Sequence, residues 1–330
     1  MPWITRDDFI ELRSKLQQRG WPYILSKINP SAADRVRSTF GISSIHHANW
    51  WIVPGVRRRW NERITGNPDQ RYEDYVIDKY LSGRKNLDML SLGCGAGSHE
   101  RYFARQGPFR QVTGIDLADN LIREANKLAK DEGLGNCQFR TADVHTLTAE
   151  EMTCDVLLFH SSLHHFFGLE TLMRDRIPEI LRPGGLLVLN DYWGPNRLQW
   201  TPDQLKVINE ALSKMPEAYR VRFKSKRIKR SVTGPGWWRM RLSDPSEAAE
   251  AEQIKPLLRK HYLCLEEKSV GGNILMPLLK DIAHHFVADT TATNEVLAEL
   301  CVAEDAFLDR EGVDPILFFG VYRPIDHHPG

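Results

Sequence analysis

Three glycines at alternate positions, Gly93, Gly95 and Gly97, follow directly on the apolar run from Leu87 to Leu92. Ser98, His99 and Glu100 then open a helical pattern whose buried face is Tyr102, Phe103 and Ala104. A buried strand, a glycine turn and a helix N-terminus form the front of a nucleotide-binding βαβ unit. Glycine is needed because the backbone bends sharply and a ligand approaches where a Cβ would clash. The run Gln111 to Ile115 ends in Asp116, about 20 residues after the glycines, the separation at which a carboxylate reaches ribose hydroxyls. Two further segments carry groups able to move protons. His160-Ser161-Ser162-Leu163-His164-His165-Phe166 follows the apolar run Cys154 to Phe159, and Asp191-Tyr192-Trp193-Gly194-Pro195-Asn196-Arg197 follows Leu186 to Asn190. Histidine titrates near neutrality, so His164 and His165 are candidate bases. Asp191 could accept a proton or orient a histidine, and Tyr192 could bind an acceptor hydroxyl. Arg197 has a planar fork suited to an acidic acceptor.

These groups act together only if ordered strands bring them to one end of a sheet, where open sheets bind ligands. The pattern supplies five strands: Leu87 to Leu92, Gln111 to Ile115, Cys137 to Thr141 (ending in Ala142-Asp143), Cys154 to Phe159, and Leu186 to Asn190. Leu121, Ile122, Ala125, Leu128 and Ala129 recur at helical spacing between the second and third. A dinucleotide fold competes with this reading at the glycines. Its fingerprint is G-x-G-x-x-G, whereas Ser98 stands here in the place of the third glycine. The turn alone leaves a nicotinamide oxidoreductase open.

The ordered set resembles the class I S-adenosylmethionine-dependent methyltransferases. The matching pieces are LSLGCGAG at 90–97, GIDLADNLIREA at 114–125, TADVHTL at 141–147, CDVLLFHSSLHHF at 154–166 and LRPGGLLVLNDYW at 181–193. The resemblance covers residues 85 to 195, and reaches the end of the chain if Tyr262 to Val270 and Pro315 to Arg323 are the last two strands. It implies an α/β fold: a doubly wound, mostly parallel seven-stranded sheet with an antiparallel C-terminal edge hairpin. It implies S-adenosyl-L-methionine as cofactor. Gly93, Gly95 and Gly97 would border its methionine part, Asp116 would bind its ribose, and Asp143 with Val144 would meet its adenine, with Leu117 also among the cofactor-binding residues. His160 joins this set. The family usually has an acidic residue where this chain has Ser91, a hydroxyl that could act through water. In the family the Leu-His-His element mostly shapes the pocket wall, which is the alternative to a base at His164 or His165. No Asn-Pro-Pro-Tyr element is present, which favours oxygen or an activated carbon as acceptor atom.

Flanking segments complete the expected organisation. Residues 1–80 read as an N-terminal helical extension or lid, 81–195 as the cofactor-binding core, 196–261 as a helical insertion capping the acceptor, and 262–330 as the rest of the core. In the extension, Asp8, Phe9, Leu12 and Leu16 suggest one helix and Pro22 to Ile28 another, and Tyr72 to Leu81 leads into the first strand. Trp50 and Trp51 are acceptor-site candidates; plain packing is the alternative. In the insertion, Thr201-Pro202-Asp203-Gln204 is a helix start with a threonine cap and an early proline. Seven of the twelve residues from Tyr219 to Arg230 are cationic, with apolar residues interleaved. The run could meet a phosphate-bearing acceptor or RNA, or be a solvated, mobile surface. Gly234-Pro235-Gly236-Trp237-Trp238 reads as a flexible loop offering Trp237 and Trp238 to an acceptor. Helices are expected over Glu247 to His261, Ile274 to Phe286 and Asn294 to Leu308.

Composition narrows the class. The net charge of the 330 residues is +1, with none of the basic excess of a nucleic-acid enzyme, and no RNA-binding module is appended. No apolar run approaches the ~18 residues of a membrane span, and the start MPWITRDDF lacks a signal-peptide core. Five cysteines are scattered without a C-x-x-C pair, which fits reduced thiols in a cytoplasm, with Cys154 a small core residue. The adjacent pairs His46-His47, His164-His165 and His284-His285 do not share a helix face, so no metal is expected. The expectation is a cytoplasmic methyltransferase acting on a small-molecule acceptor, acidic or phosphorylated, at oxygen. An RNA methyltransferase and a non-catalytic cofactor-binding protein are the alternatives.

Overall fold

A computed structural model describes residues 3–9, 49–223, 225–243 and 245–325. The helix expected from Asp8 to Leu16 falls outside these residues beyond Phe9, as do the stretch from Pro22 to Ile28, the His46-His47 pair and Lys224. The helices are α1 (Pro54–Thr65), α2 (Tyr72–Tyr80), α3 (Ser98–Ala104), α4 (Asp119–Asp131), α5 (169–180), α6 (Pro202–Lys214), α7 (Trp237–Ser243), α8 (Ile254–His261), α9 (Leu275–Leu279) and α10 (Thr291–Leu308). No described helix is long and apolar enough to cross a membrane. Contacts divide the chain into two compact units. One comprises Gln70–Trp193, Ala248–Ser269 and Phe318–Gly330; the other comprises Met1–Asp69, Gly194–Glu247 and Val270–Leu317.

The first unit is built on a seven-stranded mixed sheet of order β3-β2-β1-β4-β5-β7-β6, with antiparallel edge strands at the C-terminal end. Its strands are β1 (Leu87–Leu92), β2 (Phe109–Asp116), β3 (Cys137–Thr141), β4 (Cys154–His160), β5 (Leu181–Tyr192), β6 (Tyr262–Gly271) and β7 (Leu317–Pro324). Strands β1 to β5 pair in parallel. Strands β1, β4 and β5 are covered on both faces, which is why they read as continuous apolar runs. Strand β5 starts earlier than expected, at Leu181, and its pairing with β4 shifts register between Cys154 and Val156. Strand β3 differs: Cys137 and Phe139 are buried, but Gln138 and Thr141 are exposed. Only one of its faces is covered, because two short 3-10 turns, Val144–Thr146 and Glu150–Met152, link β3 to β4. On the covered face α4 buries Ile122, Ala125 and Ala129, one helical stripe. The Phe139 ring fills the space beside both Gly97 and Gly114: a Cβ there would lie 2.3 Å and 2.5 Å from it. The helix expected from Glu247 starts later, with a 3-10 turn at Ala251–Gln253 and α8 from Ile254.

In the second unit, Thr201 caps α6 as its sequence predicts, accepting the Gln204 N–H at 3.1 Å, with Pro202 in the first turn. The helix expected over Ile274 to Phe286 breaks. Helix α9 stops at Leu279, Asp281 takes φ +69°, and a 3-10 turn follows at Ala283–Phe286. The carbonyls freed by the break go to one ammonium. Lys229 Nζ donates to the carbonyls of Pro277 (3.0 Å), Leu278 (2.8 Å) and Lys280 (2.8 Å).

That lysine belongs to the basic run, several of whose described residues have internal partners. The run folds back on itself: Arg222 N–H donates to the Arg227 carbonyl, Lys229 N–H to that of Arg220, and Val221 bridges Ile228. Arg222 is buried and paired with Asp281 at 2.6 Å, with Asp7 3.6 Å away. The glycine-proline stretch after it is also held in place. Thr5 Oγ1 donates to the Gly234 carbonyl, Asp8 accepts the Gly236 N–H, and α7 begins at Trp237. A segment rich in glycine and proline reads as flexible only while its long-range partners are unknown.

Candidate active site

The glycine turn leaves β1 and is fastened to the end of β2. Gly93 and Cys94 N–H groups donate to the Ile115 carbonyl at 2.8 and 3.2 Å. Asp116 accepts the Gly95 N–H at 2.9 Å on one oxygen and the Ala118 N–H at 2.8 Å on the other. A carboxylate has about four acceptor sites, so Asp116 can hold the turn and still accept ribose hydroxyls. A Cβ at Gly93 would strike the Ser162 side chain at 2.6 Å, whereas one at Gly95 (φ +55°) would point into open space. The turn is packed from behind and open in front at Gly95, the cradle a nucleoside cofactor requires.

The other expected cofactor residues lie at the same strand ends. Leu117 follows β2 and is half-buried. Asp143 follows β3 and caps the next 3-10 turn by accepting the His145 N–H at 3.0 Å, with Val144 buried beside it. His160 ends β4. Its ring stacks on His99 (centroids 3.6 Å apart, 29° between planes) and on Tyr72 (5.5 Å, 15°). Burial, with the His99 ring next to it, holds His160 well below the ordinary histidine value, so it is neutral. Its Nδ1 is buried without a hydrogen-bond partner among the described residues.

Sequence reasoning missed the group around His160. Glu73, in the first turn of α2, is buried and takes the Arg71 guanidinium (Nη2 at 2.6 Å) and His99 Nδ1 (2.8 Å). Burial alone would raise its carboxyl, but the hydrogen bonds from His99 and Arg71 prevail and bring it from 4.5 to about 2. The helical periodicity of α2 was visible; nothing local ties its Arg71-Tyr72-Glu73 start to His99. Ser91, at the end of β1, is likewise paired across the fold, its Oγ donating to Glu100 Oε1 at 2.5 Å.

At the ends of β4 and β5 the structure joins two expected residues. Asp191 is 1% exposed and accepts four hydrogen bonds. Its Oδ1 takes His164 Nδ1 (2.5 Å) and the Tyr192 N–H (2.7 Å); its Oδ2 takes the N–H groups of Ser162 (2.9 Å) and Leu163 (2.7 Å). Burial alone would raise Asp191, but His164 and these backbone donors outweigh it and lower it. An ionised carboxylate can only accept, so His164 carries a proton on Nδ1. The acceptor sites of Asp191 are thus filled by His164 Nδ1 and three backbone N–H groups. His165 lies beside His164 (4.2 Å between rings), and the buried Tyr192 stands edge-on to His164 at 5.8 Å.

The remaining candidates belong to the second unit and have partners within it. Trp50 and Trp51 cluster on Trp60, at 5.5 and 4.3 Å between rings. Trp237 and Trp238 pack on Trp3 at 5.3 and 5.7 Å. Arg197 takes φ +60°, and its Nη1 donates to the Pro245 carbonyl at 2.5 Å.

Sheet order, glycine cradle and strand-end carboxylates define a Rossmann-like nucleoside-binding fold. Residues 84–262, more than half the chain, match the family model described as a methyltransferase domain, and the chain belongs to the class I S-adenosylmethionine-dependent methyltransferases, which use S-adenosylmethionine as methyl donor. It is 21% identical over 219 residues to an uncharacterized chloroplastic methyltransferase of Arabidopsis thaliana (65% of this chain, 57% of that protein). It is 26% identical to a ubiquinone/menaquinone biosynthesis C-methyltransferase of Desulfotalea psychrophila (41% and 53%). It is 31% identical to the nocamycin O-methyltransferase of Saccharothrix syringae (38% and 45%). The chain spans about half the length of the curated relatives it matches.

Proposed function

We propose that this chain transfers the methyl group of S-adenosylmethionine to an oxygen of a small-molecule acceptor, with His164 as proton acceptor and Asp191 as its positioning partner. The observation that carries the reading is the buried Asp191–His164 pair, at the same strand ends as the glycine cradle. In this reading Gly93, Gly95 and Gly97 border the methionine part, Asp116 with Leu117 the ribose, Asp143 with Val144 the adenine, and the neutral His160 ring forms part of the wall. The sulfonium supplies a methyl carbon open to in-line attack. The chain's own task is to hold the acceptor against it, a positioning effect worth up to ~7–11 kcal/mol, and to take the hydroxyl proton on His164 Nε2, worth about 10²–10⁴-fold. A base matters most for a hydroxyl acceptor, and this is the reason to favour oxygen. Relatives named for quinone biosynthesis and for nocamycin support a small molecule. The RNA reading rested on the basic run, and Arg222 and Lys229 of that run have internal partners.

Incubation of the protein with methyl-tritiated cofactor and a deproteinised metabolite extract should place label in the small-molecule fraction. Label found only in ribonuclease-sensitive material would sink the reading. His164→Gln should lower transfer about 10²–10⁴-fold and remove the acidic limb of the pH–rate profile, while cofactor affinity stays unchanged. An unaltered rate in that variant would remove His164 from the chemistry.

A further inference from the structure

We infer that Glu100 supplies the carboxylate that answers the positively charged methionine end of S-adenosylmethionine, in place of the strand-end acid that Ser91 lacks. The inference rests on the cofactor site proposed above and adds to it a residue that no motif marks.

The geometry relocates an acid from strand to helix. Ser91 occupies the last turn-facing position of β1, and Glu100 reaches it from the first turn of α3, with Oε1 2.5 Å from Ser91 Oγ. Serine carries a hydroxyl on Cβ where aspartate carries a carboxyl, and the Glu100 carboxyl meets that hydroxyl. Both residues are 1% exposed. Glu100 Oε2 is buried and has no hydrogen-bond partner, and it is the buried carboxylate oxygen of which this holds among the described residues. The neighbouring acids are satisfied: Asp116 by two backbone N–H groups, Glu73 by Arg71 and His99, Asp191 by His164 and three backbone N–H groups. A buried carboxylate half without partners is unfavourable unless a cation arrives. The charge of Glu100 is felt at Cys94, inside the glycine turn. The other ionisable groups around it are His99 and Arg101 on α3, Tyr72 on α2 and Cys137 on β3. Burial pushes the Glu100 carboxyl up, and the ammonium and sulfonium of the cofactor would offset that cost to its charged form. If Glu100 were only a structural acid accepting from Ser91, a neutral amide would replace it without effect on the ligand.

Calorimetric titration with two probes separates these cases. S-adenosylmethionine carries the charged amino-acid end; 5′-methylthioadenosine has the same nucleoside without it. Glu100→Gln should weaken the first at least about tenfold and leave the second within about twofold. The double variant Ser91→Asp with Glu100→Gln, which returns the acid to the strand, should recover most of the loss. Equal weakening of both probes, no weakening of either, or no recovery in the double variant would each overturn the assignment. Asp116→Ala should weaken both probes. If it weakens neither, the cofactor site itself is misplaced, a failure distinct from that of Glu100.

Discussion

Glu304 of the helical unit and Glu100 of the sheet unit are both buried at 1% exposure, and they are used differently. In the helical unit, Glu304 Oε2 accepts the N–H groups of Ile274 (2.9 Å) and Leu275 (3.0 Å) where α9 begins. Its acid satisfies backbone donors that a helix start leaves open. In the sheet unit, Glu100 has one hydroxyl on one oxygen and no hydrogen-bond partner on the other among the described residues. Burial is equal, so burial alone does not mark a functional acid. What separates the two is that Glu304 Oε2 satisfies two backbone donors, whereas Glu100 Oε2 has no hydrogen-bond partner among the described residues.

The contrast can be broken from the Glu304 side. Glu304→Ala should destabilise the protein by about 3–5 kcal/mol, since two buried N–H groups lose their acceptor and a cavity opens. Urea denaturation measures this, and cofactor affinity should not change; a parallel loss of affinity would erase the distinction. Glu73 gives the next largest effect. Its carboxyl sits at about 2 against an ordinary 4.5, a difference worth roughly 3 kcal/mol. A depressed acid stabilises above its unfolded value, so that contribution is complete above pH 4.5 and is lost as pH falls toward 2. Glu73→Gln should flatten stability across this window, and an unchanged acid profile would contradict the Arg71–Glu73–His99 linkage. Lys229→Met should destabilise by about 2 kcal/mol, because three carbonyls lose a charged donor. Burial pulls Lys229 from 10.5 to about 7, while its three carbonyl acceptors favour the ammonium. Between pH 7 and 10.5 the unfolded chain binds more protons at this group, so stability rises with pH there, and the slope should be weaker in the variant.

Strands and helices were readable from sequence where one rule governs a local stretch. The limits of β1 and β3 were anticipated to the residue, because a two-sided buried run and a one-sided alternation each have a distinct pattern. Helix α6 was readable from its cap. Gly93, Gly95, Gly97 and Asp116 were readable because their spacing is itself the geometry of the turn. What escaped were pairings over long sequence separations. Glu73 meets His99 across 26 residues, and Lys229 meets the α9 carbonyls across about 50. No periodicity predicts which basic residue will be buried, so the run at 219–230 looked like surface, and the helix over 274–286 looked unbroken. The His164–Asp191 pair falls between these cases: sequence places each residue at a strand end, and only the fold decides which of the two adjacent histidines meets Asp191.

Phe139 has a consequence for how this chain can drift. One ring excludes a side chain from both Gly97, on the turn, and Gly114, on the neighbouring strand. Gly114 has an ordinary backbone conformation, so its intolerance of alanine is imposed by the ring at 2.5 Å and the Cys94 sulfur at 2.8 Å. A descendant could acquire a methyl group at 114 only after room had appeared at both 139 and 94. Substitutions at these sites should therefore arise in a fixed order, and a genetic screen for suppressors of Gly114→Ala should return changes at 139 and 94.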